Sequence, residues 1–296
     1  MKGDLLSIAS RYAAIHADSG GVAATPVAGL TIIQETAPTA LQFAINRPLV
    51  TLVLQGSKRV TIGSSTFNFG AGESLLITAD VPTVSQITRA TPATPYYSLV
   101  IDLDPSVIAD LLVDIGPAPA GSAAPVRVDP TDSEVADAAL RLMRLLDRPS
   151  AQPVLEGQLV RELHYWLLMG RHGSAIRNLG VAGSHVQRIG RAVGVIRTKF
   201  NEPLRVEQLA EAAGMGLSSF HQHFRAITSL TPLQFQKQLR LIEARRRMLS
   251  HGEMISNAAY AVGYESVPQF TRDYRRLFGL PPARELKAAK AQMQAA

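Results

Sequence analysis

The sequence predicts an α+β chain of two domains: an N-terminal strand-rich sandwich or barrel followed by helices, then an all-helical C-terminal domain. Three observations carry this. The 296 residues exceed one ordinary core and fall short of three. Short β-branched runs crowd residues 29–104 and give way to helical periodicity beyond them. The last third repeats itself at about fifty residues.

Composition is that of a folded protein. Hydrophobic residues make up 46% and charged residues 18%, which excludes a disordered or collagen-like chain. No apolar run reaches the roughly 18 residues that a membrane span requires. Residues 1–20 (MKGDLLSIASRYAAIHADSG) mix acids, histidine and arginine where a signal peptide has an apolar centre. The expected location is therefore the cytoplasm, with no membrane partner. The absence of cysteine excludes disulfides, thiolate chemistry, zinc fingers and iron–sulfur clusters. Charge is uneven: residues 1–184 hold 13 Lys+Arg against 16 Asp+Glu, a net −3, and residues 185–296 hold 17 against 8, a net +9. A compact domain with such an excess has the footprint of a nucleic-acid binder, although merely solvated basic domains share it.

In the first domain, LVTLVL (49–54), RVTI (59–62), STFNF (65–69), SLLIT (74–78) and YYSLVIDL (96–103) read as strands, with turns at QGSK (55–58) and GAGE (70–73). Asp104-Pro105 opens an apolar helix through Leu111 and Leu112. Residues 129–147 place Val135, Ala139, Leu142 and Leu146 on one stripe, and Pro153 begins a third helix with Leu155, Leu159, Leu163, Trp166 and Leu167 on one side. Trp166 reads as core or subunit interface. GPAPAGSAAP (116–125) reads as a loop. RHGSAIRNLGVAGS (171–184) is punctuated by glycine, lacks strong periodicity and sits where the charge changes sign, which places the interdomain linker there. The expected domains are 1–178 and 185–296.

In the basic third, Val206, Leu209, Ala210 and Ala213 form a helical stripe that stops at Gly214, and Ile255, Ala258, Ala259 and Val262 form one that stops at Gly263. A turn and a second helix follow each glycine, with Phe220, Phe224 and Ile227 facing inward in one copy and Phe270, Tyr274 and Leu277 in the other. Helix, glycine turn, helix, with alanines where the helices approach closely, is the helix-turn-helix pattern. At 100° per residue the outward positions are Ser218, His221, Gln222 and Arg225 in the first copy and Pro268, Thr271, Arg272 and Arg275 in the second. Gln can pair with adenine, Arg with guanine, and Ser or Thr with base or phosphate. Together with Val267 at the start of the second outward helix, these are the candidate DNA-binding residues. Polar residues face water on any amphipathic helix, but two copies in a +9 domain favour DNA. Between them, Thr231-Pro232 opens a helix to Ser250, about 30 Å long and close to the roughly 34 Å between successive major-groove faces.

The segments VEQLAEAAGMGLSSFHQHFRAITSLTPLQFQKQLRLIEARRRML and ISNAAYAVGYESVPQFTRDYRRLFGLPP closely resemble the DNA-binding domain of AraC/XylS-type bacterial transcription regulators, over about residues 185–290. PVAGLTI, LVLQGSKRVTIG, GAGESLLITADVP and PYYSLVIDLDP resemble the N-terminal domain of one AraC-type subgroup, a cupin-like β-barrel followed by helices. The resemblance implies a sequence-specific transcription regulator that binds double-stranded DNA and answers to a small organic effector in the barrel. It also implies no cofactor and RNA polymerase as a candidate further partner, while the Leu155, Leu159, Leu163, Trp166 stripe, more apolar than one barrel face needs, predicts a homodimer formed through the helices between Pro130 and Gly170. Two positions depart from the family pattern. Gly216 stands where a Ser N-cap is common, a change worth only tenths of a kcal/mol. Val267-Pro268 inverts a common Pro-first order, yet Pro268 still falls in the first helical turn, where its missing N–H does no harm.

The rival reading is a small-molecule-transforming cupin enzyme with an accessory nucleic-acid-binding module. Metal cupins need clustered histidines. None lies between Ala17 and Leu163, and the strand region holds only Glu35 and Glu73 as glutamates. No Ser-His-Asp or phosphate-loop pattern is visible, so the expectation is no enzyme, no catalytic residues and no metal site. His221 and His223 lie about 200° apart on a helix and cannot chelate one ion. Glu73 reads as a turn residue and Lys58-Arg59 as the solvated end of a hairpin. Arg245, Arg246 and Arg247 read as a solvated face with phosphate contact as the alternative. The barrel interior is expected to be apolar, lined by Leu52, Leu54, Val60, Leu76, Ile77, Leu99 and Ile101.

Overall fold

The computed structural model describes residues 2–63, 65–116 and 126–295 and divides into two compact units, Met1–Gln187 and Arg188–Ala296. The GPAPAGSAAP loop, apart from Gly116, lies outside the described residues. Among those residues no helix is long and apolar enough to cross a membrane.

The first unit opens with α1 (Lys2–His16), then β1 (Val22–Ala24), β2 (Leu30–Glu35), β3 (Gln42–Asn46), β4 (Leu49–Gln55), β5 (Ser57–Ile62), β6 (Ser65–Gly70), β7 (Glu73–Ile77), β8 (Val81–Arg89) and β9 (Tyr96–Asp102). After them come α2 (Pro105–Ile115), β10 (Val126–Pro130), α3 (Ser133–Leu145), α4 (Gln152–Met169) and α5 (Gly173–Gly180). All strand pairs are antiparallel. They make a six-stranded sheet, β1-β2-β9-β4-β7-β10, and a four-stranded sheet, β3-β8-β5-β6. Among the described residues, hydrogen bonds do not close the two sheets into one ring. Tight turns join the expected hairpins: Gly56, at φ +82°, leaves no room for a Cβ, which would lie 2.5 Å from the Arg89 carbonyl oxygen. Glu73 is a turn residue as expected, its Oε2 accepting the Gly70 N–H at 2.8 Å.

The helices cover one face of the six-stranded sheet. Leu5, Ala9 and Ala13 of α1 pack with Ile32, Val50, Leu52, Leu76, Leu99 and Ile101 from the strands and with Ala139, Leu163 and Ile176 from the other helices. This overturns the expected barrel lining. Leu52, Leu54, Leu76, Leu99 and Ile101 all belong to the helix-covered face, and by alternation Val60 and Ile77 alone of the seven face the other sheet. The reason is that β4 and β9 are buried on both faces, so hydrophobicity runs continuously along them and carries no sign of which side is the interior. What faces the second sheet instead includes Thr51, Tyr96 and Ser98, all buried. Lys58 is not the solvated hairpin end expected either. Arg59 is exposed and bonds Asn68, while Lys58 takes the opposite face between its buried register partners Phe69 and Ile87.

The segment 171–184, read as linker, contains α5, whose Ala175, Ile176 and Leu179 enter the first core. Its glycines mark close packing rather than flexibility. A Cβ on Gly173 would lie 2.0 Å from the Leu168 carbonyl oxygen, and one on Gly180 would lie 2.7 Å from the Ile108 side chain. A buried polar knot holds the same segment: His172 Nε2 is 2.8 Å from Ser74 Oγ, and its Nδ1 is 3.4 Å from Asp129 Oδ2. The sequence showed no Ser-His-Asp pattern, and the fold brings one together from three distant positions. Ser74 Oγ also lies 3.2 Å from the Asp129 carbonyl oxygen. Ser74 and His172 are buried, with 2% and 4% of their surface exposed, so the group is enclosed within the core. Among the described residues no three or more His, Asp or Glu side chains are grouped to hold a metal ion.

Gly157, on α4 with nothing within 4 Å of where a Cβ would stand, should tolerate alanine with a gain of about 0.5–1 kcal/mol, whereas Gly173→Ala should destabilise the unit; chemical denaturation of the two variants checks the opposite signs. The buried His164 accepts the Asp104 N–H at Nε2 over 3.0 Å, and burial, outweighing the Val160 carbonyl and Asp104, holds its pKa below the ordinary value. Its unfolded counterpart takes up a proton below about pH 6.5 while the folded imidazole does not. Stability should therefore be full above that pH and fall as pH drops below it. His164→Gln should flatten the slope in pH-dependent melts, leaving the part due to His172, whose pKa burial also depresses.

Candidate nucleic-acid interface

The second unit is helical: α6 (His185–Thr198), α7 (Val206–Ala213), α8 (Leu217–Thr228), α9 (Pro232–His251), α10 (Ile255–Ala261), α11 (Val267–Phe278) and α12 (Pro282–Ala295). The two predicted motifs are α7-α8 and α10-α11, and their turns share one hydrogen-bond pattern. Gly214 N–H donates to the Glu211 carbonyl and Met215 N–H to Ala210, while Gly263 N–H donates to Tyr260 and Tyr264 N–H to Ala259. Both glycines have positive φ, +62° and +87°, the left-handed geometry that ends a helix and turns the chain sharply. The second turn is one residue longer, since α8 is capped by Gly216 and α11 by Ser266.

The repeat extends further than the sequence pattern revealed. α9 starts at Pro232 and α12 at Pro282, fifty residues apart, so each copy is a three-helix unit. Thr231 and Gln234 close a capping box at the start of α9. The 20 residues of α9 serve both copies. Phe235 packs edge-on against Phe224, ring centroids 5.7 Å apart, and Leu241, Ala244 and Met248 join Ala258, Ala259, Phe270 and Tyr274 in the second core. Arg240 fixes the junction by donating to the carbonyls of Phe200, Glu202 and Gly263, and Gln236 donates to Phe200 and Glu202 beside it. No residue pattern announces this staple, because its acceptors are backbone atoms.

The outward faces lie as the helical wheel placed them. Ser218, His221, Gln222 and Arg225 on α8 are exposed, as are Pro268, Arg272 and Arg275 on α11. Thr271 is half-buried, and Val267 packs against the second core. Ser219 and Gln269 are exposed beside them, one position off the angles chosen from sequence. Among the described residues Arg225, Arg272 and Arg275 have no acidic partner.

The arginine run of α9 is different. Arg245 forms an ion pair with Glu285 at 2.7 Å and stacks over the Phe278 ring, and Tyr274 donates to the same carboxylate at 2.6 Å. Arg246 and Arg247 pair with Glu243, which they hold below the usual carboxylate range. The run is neither a free solvated face nor, in the case of Arg245, open to phosphate. Glu285 lies forty residues away, beyond any helical spacing rule. Arg245→Ala should lower the stability of the full chain by about 1–2 kcal/mol. It should leave the salt dependence of DNA affinity unchanged, where loss of a phosphate contact would reduce that slope by about 1; salt titrations of wild type and variant decide it.

Residues 26–175 match the family described as AraC-type transcriptional regulator N-terminus, and residues 209–288 match the helix-turn-helix domain family. Among curated proteins, the chain is 28% identical over 101 residues to the HTH-type transcriptional activator RhaS of Pectobacterium carotovorum, covering 34% of this chain and 36% of that one. It is 26% identical over 146 residues to the virulence regulon transcriptional activator VirF of Yersinia enterocolitica, covering 48% and 52%. The match thus spans only about a third to a half of these relatives. Among solved structures, an apo form of ToxT from Vibrio cholerae shares the fold, with a TM-score of 0.58 at 9% identity over 89% of this chain and 98% of that one. ToxT bound to an unsaturated fatty acid gives 0.53 at 9% identity, over 87% and 93%.

Proposed function

Since the chain belongs to the AraC-type transcriptional regulators, we propose that it is a cytoplasmic, sequence-specific DNA-binding regulator and not an enzyme. In this reading the first unit receives a small organic effector and the second reads double-stranded DNA, with RNA polymerase as a further partner. The observation that carries it is the duplicated geometry of the second unit: two helix pairs with the same turn hydrogen bonds, joined through one 20-residue helix. Each presents an exposed polar face with unpaired arginine. Ser218, His221, Gln222 and Arg225 form the first reading face. Thr271, Arg272 and Arg275 form the second, with Pro268 and Val267 setting the start of its helix.

The first unit also exposes apolar surface on two neighbouring helices, Val113 on α2 and Val154, Leu155 and Met169 on α4. This supports homodimerisation through α2 and α4, which would bring two reading units to one repeated DNA site and raise avidity. The effector reading places the ligand in the space between the two sheets, whose inner faces carry polar side chains that an ordinary core would not contain.

Selection of binding sites from random duplexes tests the DNA reading. Gln222→Ala and Arg272→Ala should each cost about 1–3 kcal/mol on the preferred site. Each should relax the preference only in its own segment, the two segments lying about 10 base pairs apart. If Arg272→Ala leaves the selected sequence unchanged at every position, α11 supports α8 and does not read bases.

A further inference from the structure

Where α9 passes from the first motif to the second, the surface of the helical unit forms a trough with the first half of α9 as its floor. Two open cavities lie along it, about 480 Å³ and 340 Å³ in volume, and Lys237 lines both. Gln269 of α11 borders the first and Arg276 of α11 the second, and both side chains are exposed. With Arg272 they stand at i, i+3 and i+7 on one stripe of the helix, so the trough opens along the flank of the second reading face. Leu230, in the turn between α8 and α9, borders the second cavity from the side of the first motif.

An ion pair forms the ridge between the cavities. Lys237 Nζ is 2.8 Å from Asp273 Oδ2, and the Tyr264 hydroxyl donates to the same oxygen over a long 3.4 Å. The two partners are unequally held. Asp273 keeps 15% of its side-chain surface exposed and Lys237 keeps 46%, so the carboxylate is fixed against the second core while the ammonium, on its flexible stem, stands open to the trough. Arg240 also borders the first cavity, but its guanidinium is committed to three backbone carbonyls, and Glu265 beside it adds negative charge.

An aspartate next to Arg272 on a DNA-reading helix is electrostatically unfavourable for binding. With α8 and α11 in successive major-groove faces, the minor groove between them turns its phosphates toward the protein surface that separates the two helices. Lys237 is the open cation of that surface, and Asp273 already supplies the negative charge that a phosphate would bring. Exchanging one anion for the other leaves a largely buried carboxylate without its cation, which opposes the exchange.

We propose that Asp273 is an internal substitute for phosphate: it occupies Lys237 and so holds down the sequence-independent affinity of the second unit for duplex DNA. The inference rests on the DNA reading above and adds to it a restraint carried by the reading helix itself.

Salt titrations of the full chain on its selected site and on an unrelated duplex test this. Asp273→Asn keeps the shape and an acceptor for Tyr264. It should tighten binding to both duplexes alike, about tenfold near 50 mM salt, and steepen the slope of log affinity against log salt by about 1. Adding Lys237→Gln to that variant should return affinity and slope to the wild-type values. Should thermal melts show that Asp273→Asn does not fold, Asp273→Thr, which keeps a hydrogen-bonding group for Tyr264, provides the same reading. If the folded single variant matches wild type in affinity and slope, Lys237 does not reach the backbone and the proposal is overturned. It is equally overturned if the single variant binds its selected site more weakly and loses preference in the second segment, since Asp273 then positions α11, or if the double variant keeps the whole gain, since the carboxylate then acts by repulsion without Lys237. Wild type and variants alike inert toward every duplex would remove the DNA reading itself, and this inference with it.

Discussion

The second unit depends on the continuity of α9. A short amphipathic helix such as α7 or α10 cannot bury its stripe alone, and a helix-turn-helix pair leaves part of its inner surface uncovered. α9 covers both pairs, with Phe235 toward one and Leu241, Ala244 and Met248 toward the other. Because both cores are built on one rigid rod, the separation of α8 and α11 follows from helix length rather than from linker conformation. Arg240, reaching three carbonyls from the middle of that rod, fixes the turn of the second motif against the segment that precedes the first. A break in α9 would leave each motif partly intact and remove the relation between them.

This explains why the helical unit was legible in sequence. Its determinants are local: stripes of three or four residues, glycines at left-handed positions, and a helix start marked by Thr231-Pro232. The repeat then supplied a second, independent copy of each signal. What stayed hidden was non-local. Arg245 looks like one member of a basic run, and only the packing of α11 and α12 against α9 brings Tyr274 and Glu285 together beside it. The third helix of each copy was also unseen as part of the repeat, because the α9 and α12 sequences share little beyond their opening prolines.

The first unit was legible in kind and less so in detail. Hairpins with glycine turns were visible, and Asp104 capping α2 was evident from its proline. The face assignment failed where burial is two-sided, since the alternation that distinguishes inside from outside needs one wet face. Lys58 and Arg59 are adjacent and chemically alike, and pleating sends one to solvent and the other between the sheets. Glycine misled for a related reason. In residues 171–184 it permits close contact with Leu168 and Ile108, and in a sequence such a glycine cannot be told from a flexible one.

The charge of the second unit is distributed unequally between internal and outward roles, and this bears on how it meets DNA. Arg188 and Arg191 donate to carbonyls at the end of α7, and Arg240 is committed to backbone. Lys237, Arg245, Arg246 and Arg247 face acids. Much of the net +9 is therefore structural cation, held in place by partners and unable to follow a phosphate without losing them. The cations left to the reading faces are few and uneven, Arg225 on α8 against Arg272 and Arg275 on α11. The first face is dominated by hydroxyl, imidazole and amide groups suited to base edges, and the second by guanidinium groups suited to guanine and phosphate alike. The two motifs share a backbone geometry but not a chemistry, so under the proposed DNA reading the first face mainly discriminates and the second also anchors.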